Sequence, residues 1–333
     1  MRWELIGHET ASREWDKNLI QLKEYNVYQS FGWAESRKFL GWTPLRLMAF
    51  SDDNQIVAMF QGLVRKYFNV SLFFAQGAPA GDVKILDKDF KKAISSFLGA
   101  KHWFCRIYAH HLYEEDQALF LKNNNWVVSK YIAQSGLSMI MDLSKSKDEI
   151  FSAFSKNWRH NLRRSLNENL TVEKWIDPSL DEVQKVFASM EGVKKLKSIF
   201  SNDELHAIFN YLGKDIILYR CLDANNEVFA LRGCVITGDR AVDFFAATSE
   251  TGRKTYASYI LFWTLIQDCI ERKIKTYDLN GIDPAQGLGV YNFKKGTGAV
   301  PVKYLGAWDC ASSEIIRRVV NFIYNVRKQI RGY

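Results

Sequence analysis

The chain has 333 residues, 47% hydrophobic and 14% aromatic, which is enough apolar material for two cores rather than one. A formal net charge of +8 and a pI near 9.1 turn attention away from cationic partners and toward nucleic acid, nucleotide-linked sugars or an anionic membrane face. Five scattered cysteines without a CxxC pair (Cys105, Cys221, Cys234, Cys269, Cys310) argue against a disulfide framework and a structural zinc, and read as core thiols. The opening MRWELIGHETASREWDK has no apolar signal-peptide core, and no apolar run reaches membrane-span length, so a reducing, cytoplasmic setting is expected.

In chain order, Trp3–Ile6 reads as a strand and Ala11–Leu22 as a helix, with Ser12 a candidate N-cap. Gln29–Trp42, QSFGWAESRKFLGW, predicts a helix that buries Phe31, Trp33, Phe39 and Leu40 and turns Arg37 and Lys38 to its other side. Leu45–Phe50 and Ile56–Lys66, joined by Ser51–Gln55, form a hairpin, since Asp-Asp-Asn is turn chemistry. Val70–Gln76 is a strand ending at Gly77-Ala78-Pro79-Ala80-Gly81, Asp87–Leu98 a helix and Trp103–Tyr108 a strand. Adjacent side chains on a strand point to opposite faces, so His110 and His111 are read as surface or loop residues rather than ligands of one metal. Glu114–Asn123 is a helix, and Trp126–Ile132 leads into Ser138–Leu143.

Within Met139–Arg164, Ser144 or Ser146 caps a helix with Ile150, Phe151 and Phe154 inward and Arg159, Arg163 and Arg164 near its end. Arg159 and Arg163 are four apart and share a face. That face suits a phosphate-bearing partner, or is simply a solvated basic helix end. Leu180–Met190 and Asp203–Leu212 are helices around a basic cluster, Lys194, Lys195 and Lys197. Ile216–Leu222 and Val228–Ile236, joined by Asp223–Glu227, form a second hairpin. LRLMAFSDDNQIVAMFQGLV and ILYRCLDANNEVFALRGCVI therefore share one pattern, an internal repeat that supports a duplicated domain. Val242–Ala247, the apolar helix Ala257–Glu271 and Ile274–Leu279 follow, then the strand Val302–Trp308 and the helix Ser313–Ile330. That last helix is basic and amphipathic, suited either to packing on its own domain or to a peripheral contact with the inner face of a membrane.

The most informative stretch is Tyr277–Gly298, YDLNGIDPAQGLGVYNFKKGTG. Gly281, Pro284, Gly287 and Gly289 break regular structure and let a ligand approach the backbone. Two lysines beside two aromatic rings at Tyr291–Lys295 suit a flat, anionic or carbonyl-bearing partner. Asp278, Gly281–Pro284, Gly289, Tyr291, Phe293, Lys294, Gly296 and Gly298 together resemble the C-terminal signature of the Fem family, with Thr297 standing where an aromatic is usual. Gln29–Trp42 is similar to the opening of that family, with Arg37 in the place of its phosphate-contacting lysine, and the Arg-rich segment after residue 155 resembles its second-domain start.

The resemblance implies an α/β (α+β) fold of two tandem GNAT-like domains, mixed sheets flanked by helices, here cut as 1–145 and 146–333. The first would recruit part of the tail, and no heptad run marks a coiled-coil arm. It implies transfer of an amino acid from aminoacyl-tRNA to an amine of a peptidoglycan precursor, a nucleotide- or lipid-linked muropeptide, by a monomer that needs no metal or cofactor. Lys294 is then the candidate for charge stabilisation, Phe293 for desolvating it, and Asp283 or Asp278 for accepting a proton, unless Asp278 only caps the loop. Arg37, Lys38, Arg159, Arg163, Tyr256 and Tyr291 are the candidate substrate-binding residues. Two other readings stand beside this one. The first is a CoA-dependent N-acyltransferase acting on an amino sugar of surface polysaccharide; Tyr256, sitting where the first glycine of the CoA loop would be, weighs against it. The second is a non-catalytic tRNA- or membrane-binding protein.

Overall fold

Two hairpin turns of the same construction anchor the two halves of the chain. The computed structural model describes residues 1–130, 136–194, 200–285 and 287–331. In the first turn Ser51 N donates to Gln55 O (2.9 Å), Asn54 N to Ser51 O (3.1 Å) and Gln55 N to Ser51 Oγ (3.2 Å). In the second, Asp223 N donates to Glu227 O (3.1 Å), Asn226 N to Asp223 O (3.0 Å) and Glu227 N to Asp223 Oδ1 (2.9 Å). Asn54 and Asn226 both take the left-handed conformation, at φ 59° and 63°, which asparagine tolerates better than most residues. The ladders beside the two turns shift register at matching places, between Ala49 and Phe50 and between Cys221 and Leu222. The repeat seen in sequence is thus a repeat of backbone.

The chain divides into two units, Met1–Gly136 with Lys303–Tyr333, and Leu137–Val302. A cut near residue 145 would instead put Leu137–Asp142 in the first unit. The tail from Lys303 falls in the first unit because its strand pairs there.

The first unit contains β1 (Arg2–Leu5), α1 (His8–Leu19), α2 (Phe31–Glu35), β2 (Thr43–Phe50), β3 (Ile56–Tyr67), β4 (Val70–Gln76), β5 (Ala80–Gly81), α3 (Lys88–Leu98), β6 (His102–Leu112), α4 (Glu115–Asn123) and β7 (Val127–Val128). Its sheet runs β1-β2-β3-β4-β6 and is completed by the last strand of the chain, Val300–Ala311, which pairs antiparallel to β6 from Tyr304 onward. The β4–β6 pair is parallel with α3 as its crossover, and the other neighbours are antiparallel. Phe60, Phe73, Phe90, Ile94 and Trp126 fill the core.

A buried polar chain crosses this unit. Gln29 Nε2 donates to Gln61 O and Gln76 O, Gln61 N donates to Gln29 Oε1, and Arg46 Nε donates to Gln61 Oε1 (2.6 Å). Arg46 Nη2 then meets Glu35 Oε1 (2.8 Å), and Lys38 Nζ meets Glu35 Oε2 (2.5 Å). Burial pushes the Glu35 pKa up, but Lys38 and Arg46 outweigh it and hold the carboxyl below its ordinary value.

Several expectations for this unit are corrected. The first helix starts at His8 with no side-chain cap, and Ser12 Oγ instead donates back to Glu9 O within it. Gln29–Trp42 is not one helix: Ser30 caps the short α2, Lys38–Leu40 is a 3-10 turn, and Gly41 is left-handed, leaving Phe39 and Leu40 exposed. The two histidines belong to β6. His111 Nε2 donates to Gly81 O (2.7 Å), while His110 stacks on Tyr304 (5.1 Å) with its edges against Tyr28 and Tyr108. Burial beside His111 pushes the His110 pKa down to about 3, which keeps it neutral.

The second unit contains β8 (Leu137–Asp142), α5 (Lys147–Ala153), α6 (Lys156–Leu166), β9 (Thr171–Lys174), α7 (Leu180–Lys194), α8 (Asn202–Leu212), β10 (Ile216–Leu222), β11 (Val228–Thr237), β12 (Arg240–Thr248), α9 (Glu250–Lys254), α10 (Ala257–Glu271), β13 (Thr276–Asp278) and α11 (Leu288–Gly296). The sheet order is β8-β13-β12-β11-β10-β9, with β12 and β13 parallel and α10 crossing between them. Ser146 is the cap of α5, in a capping box with Glu149, and the chain breaks at Phe154 so that Ser155 caps a separate α6 carrying the arginines. Cys234 and Cys269 lie buried with sulfurs 3.8 Å apart, and all five cysteines are free thiols. Lys195 and Lys197 of the expected basic cluster lie outside the described residues. The chain closes in the first unit with β14 (Val300–Ala311) and α12 (Glu314–Arg331).

Glu35→Ala is expected to leave the buried Arg46 without its ion-pair partner, with only the weaker field of Asp16 beside it, and to cost about 3–5 kcal/mol in urea unfolding. Because Glu35's folded pKa is depressed, its contribution is full above its ordinary value of 4.5 and is lost as pH falls through the lower folded value. A pH-stability profile that is the same in wild type and Glu35→Gln would contradict this.

Candidate functional site

The site in the second unit begins with a β-bulge. Along β11 and β12 the pairs run Arg232↔Ala246 and Gly233↔Phe245, then skip to Cys234↔Asp243, so Phe244 is the extra residue. Without it, Asp243 would face the side opposite Arg232; the one-residue slip brings both to the same side. There Arg232 Nη2 and Asp243 Oδ2 form a buried ion pair, and Tyr277 Oη donates to Asp243 Oδ1 (3.0 Å). A Cβ on Gly233 would lie 2.6 Å from Ile217 O, so the bulge has no room for any other residue there.

Asp243 also fixes the loop after β13. Its backbone oxygen accepts Asn280 Nδ2 (3.2 Å), and Asp278 Oδ1 accepts Asn280 N (2.7 Å) as well as Ser138 Oγ. Asn280 is left-handed at φ 63°. Held this way, Asn280 O and Gly281 O receive Lys294 Nζ at 3.2 and 2.8 Å. Lys294 is 8% exposed. Burial pushes its pKa down, Asp243 and Asp278 oppose this, and Arg232 adds to it; the net direction is downward. An ammonium has three donors, and among the described residues these two carbonyls are its partners, so one N–H remains for an incoming oxygen.

Phe293 packs against Trp158 (5.8 Å), Tyr259 (5.1 Å) and Phe262 (5.6 Å), while the Arg232 guanidinium lies over its ring at 5.0 Å. Tyr259 Oη accepts Asn161 Nδ2 (3.0 Å). The glycines of the GTG segment serve packing rather than ligand approach. A Cβ on Gly296 would meet Trp158 Cδ1 at 2.8 Å, and one on Gly298 (φ 73°) would meet Ala153 O at 2.6 Å. Thr297, in the usually aromatic place, is buried and its Oγ1 donates to Lys294 O (2.6 Å), closing α11. Gly289, expected in an irregular loop, lies inside α11.

The remaining sequence candidates divide. Asp283 is exposed and its Oδ1 accepts Ala285 N (2.9 Å) in a turn. Tyr291 is half-buried, with Lys295 Nζ over its ring at 5.9 Å. Arg159 Nη1 donates to Ser152 O (2.9 Å), and Arg163 Nε leans on Arg159 O (3.4 Å). Arg164, not these two, stacks on Tyr256 at 4.2 Å. In the first unit, Arg37 is buried with its guanidinium on the Trp33 ring (4.3 Å) and its Nε on Ser36 Oγ (3.1 Å), whereas Lys38 is paired with Glu35. Arg232, Asp243, Tyr277 and Asn280 escaped the sequence reading. Their signal was a lone Arg and a lone Asp in the apolar strands FALRGCVI and AVDFFAA, since a charge in an apolar strand needs a partner.

A profile of the FemAB family matches residues 222–325, which includes the bulge, the loop and α11. The chain is 22% identical over 298 residues to the UDP-N-acetylmuramoylpentapeptide-lysine N(6)-alanyltransferase of Weissella viridescens, spanning 84% of this chain and 86% of that one. The crystal structure of FemX superimposes with TM-score 0.79 at 18% identity over 93% of this chain and 97% of that one. A tandem GNAT protein of the clavulanic acid biosynthesis pathway gives 0.56 at 10% identity, covering 94% and 99%. The L-PGS of Bacillus licheniformis gives 0.54 at 15% identity, covering 92% of each. These likenesses show the tandem GNAT-like fold.

The segment after β12 is where GNAT proteins that use CoA cradle its pyrophosphate on backbone N–H groups. Here α9 fills it: Gly252 N donates to Ser249 Oγ, Arg253 N to Ser249 O, Thr255 N to Thr251 O and Tyr256 N to Arg253 O. Tyr256 is left-handed at φ 58°. These four donors are committed within the chain, so a diphosphate would have to unwind α9 to reach them. Calorimetry with CoA is expected to show no affinity near micromolar, on the order of −8 kcal/mol; such affinity would overturn this reading of the loop.

Proposed function

We propose that this chain, a member of the FemAB family, moves an aminoacyl group from aminoacyl-tRNA to an amine of a peptidoglycan precursor peptide. The observation that carries this is the Lys294 ammonium, buried and aimed by two fixed carbonyls within the stretch that the family profile matches. The name of the Weissella relative supports an acceptor that is a nucleotide-linked muramoyl pentapeptide with a lysine amine. Charged tRNA and a nucleotide-linked acceptor also support a cytoplasmic setting.

In this reading the neutral acceptor amine attacks the ester carbonyl carbon. A C–N bond forms, the carbonyl oxygen takes negative charge, and the C–O bond to the tRNA ribose then breaks as the amine loses its proton to the departing oxygen or to a base. The third N–H of Lys294 donates to the developing oxyanion, where charge is greater than in the ground state. Phe293, locked among Trp158, Tyr259 and Phe262, keeps water from that ammonium. Asp283 is the exposed carboxylate offered as proton acceptor, while Asp278 serves the loop backbone. Tyr256, Tyr291, Arg159 and Arg163 are offered to the substrates, the arginines to phosphates of tRNA or acceptor. Arg37 is offered to the acceptor's diphosphate, since its guanidinium can meet two phosphate oxygens and its stacking on Trp33 pre-orients it. Lys38, held by Glu35, is the weaker candidate.

Lys294→Met is expected to lower single-turnover rates roughly 10²–10³-fold with acceptor binding and circular dichroism unchanged. Lys295→Met, which removes an exposed and screened charge, is expected to cost little beyond weaker tRNA attraction at low salt. A larger loss of chemistry in the Lys295 variant would refute the assignment, and no loss in either would reduce the segment to a structural one.

Arg37→Ala is expected to raise the acceptor KM strongly with kcat less affected. Equal acceptor affinity in wild type and Arg37→Ala would refute a role for Arg37 in acceptor binding.

A further inference from the structure

Helix α12 is amphipathic in an unusual sense, because an apolar stripe lies on the side that faces solvent. Its packed side is made by Val320, by Asn321 bonded to Arg106 and Asp309, and by Tyr324 against Phe74 (5.6 Å). On the other side Ile315, Val319, Phe322 and Ile323 are 73%, 48%, 68% and 46% exposed. The spacing i, i+4, i+7, i+8 puts these four within about 100° of arc on one face. Arg318 borders that stripe, with 76% of its side chain exposed. The helix segment Glu314–Arg331 carries five basic residues, Arg317, Arg318, Arg327, Lys328 and Arg331, against one acid.

We propose that this face of α12 docks on the surface of an anionic phospholipid bilayer, with the apolar stripe entering the headgroup–acyl boundary and the helix lying in the plane of the interface. No described helix is long and apolar enough to cross a membrane, which leaves α12 an interfacial rather than a spanning role. Charge complementarity selects the occupant. A second copy seated on the same stripe would bring a like-charged helix against this one, and RNA would match the arginines but leave the apolar stripe unused. An anionic bilayer takes both. The helix also starts at a sheet end that bears another apolar residue in solvent: Phe68, at the β3–β4 turn, is fully exposed beside Lys66. The pairing of Val70 with His102, and the bond from Trp103 N to Ser312 Oγ, align that turn with the start of α12 along one edge. Lys66, Ser71, Lys101 and His102 line a concavity of about 420 Å³ there, and the buried Ser71 hydroxyl has no partner among the described residues. The concavity offers the Lys66 and Lys101 ammonium groups to a lipid phosphate.

The test is flotation of the full-length chain with vesicles of phosphatidylcholine alone and of phosphatidylcholine containing phosphatidylglycerol, at low and high salt, with sedimentation analysis of the free protein. Wild type is expected to float with the anionic vesicles and to be released by salt. The double variant Ile315→Ser/Phe322→Ser, at exposed positions, is expected to lose more than about tenfold in partitioning with an unchanged circular dichroism spectrum. Arg318→Gln is expected to lose about fivefold. Wild-type flotation by the double variant, equal binding to both kinds of vesicle, or no binding to either would overturn the proposal. So would a self-association of wild type that the double variant abolishes in the absence of vesicle binding, which would assign the stripe to a second copy. Transfer activity on a soluble acceptor is expected to be unchanged in these variants, so the outcome does not depend on the proposed chemistry.

Discussion

The carboxylate of Asp243 is the fixed point of the second unit. It stands in an apolar strand, so its burial is costly unless every oxygen is used. Arg232 and Tyr277 use both carboxylate oxygens, and the residue's own backbone oxygen takes the Asn280 amide. Each of these partners belongs to a different element: β11, β13 and the loop that follows. One buried charge therefore ties two strands and a loop into one geometry. Lys294 depends on that geometry without touching Asp243, because the carbonyls that hold it belong to Asn280 and Gly281. The ammonium is also brought near Arg232, and burial with a like charge nearby makes it a less stable cation than an exposed lysine. Such a group gains most when negative charge appears beside it, which is the property the proposed chemistry requires.

The first unit solves a similar problem with neutral amides. Gln29 and Gln61 bond to each other and to the backbone, and pass the network on to Arg46 and Glu35. The charged end emerges near Arg37 and Lys38, and the neighbouring pair decides between the two candidates. Lys38 neutralises Glu35, whereas Arg37 lies flat on Trp33. A lysine in the place of Arg37 would lack the planar surface for that stacking.

Much of this architecture was legible in the sequence because it is local. Val70–Gln76, Ile216–Leu222 and Ala257–Glu271 stand where alternation and apolar runs put them, and the two Asn turns announced the duplication. The Tyr277–Gly298 stretch pointed to Phe293 and Lys294. What was not legible depends on non-local register. The extra residue at Phe244 changes which side Asp243 faces, and no count along one strand reveals it. The break at Phe154–Ser155 splits a run that periodicity joins, so the arginines sit on a different axis from the one expected. Gly296 and Gly298 entered the reading only through the resemblance, and their reason is tertiary: Trp158 and Ala153 press against them. For α12, the apolar periodicity identified the helix but not which side meets the sheet: the packed side is the one with Val320 and Tyr324, and most of the apolar stripe faces outward.

The late position of β14 has a consequence for how the protein is made. Until the ribosome has passed residue 311, β6 has a partner only in β4, and its other side is a bare edge bordered by Phe104, Cys105 and Ile107. Every strand of the second unit's sheet, β8 to β13, is synthesised before that edge is covered. The unit whose sequence begins first is thus the one whose sheet closes last. A nascent chain must carry an open, apolar strand edge through the synthesis of well over a hundred further residues, a state that invites pairing with the wrong strand or with another chain.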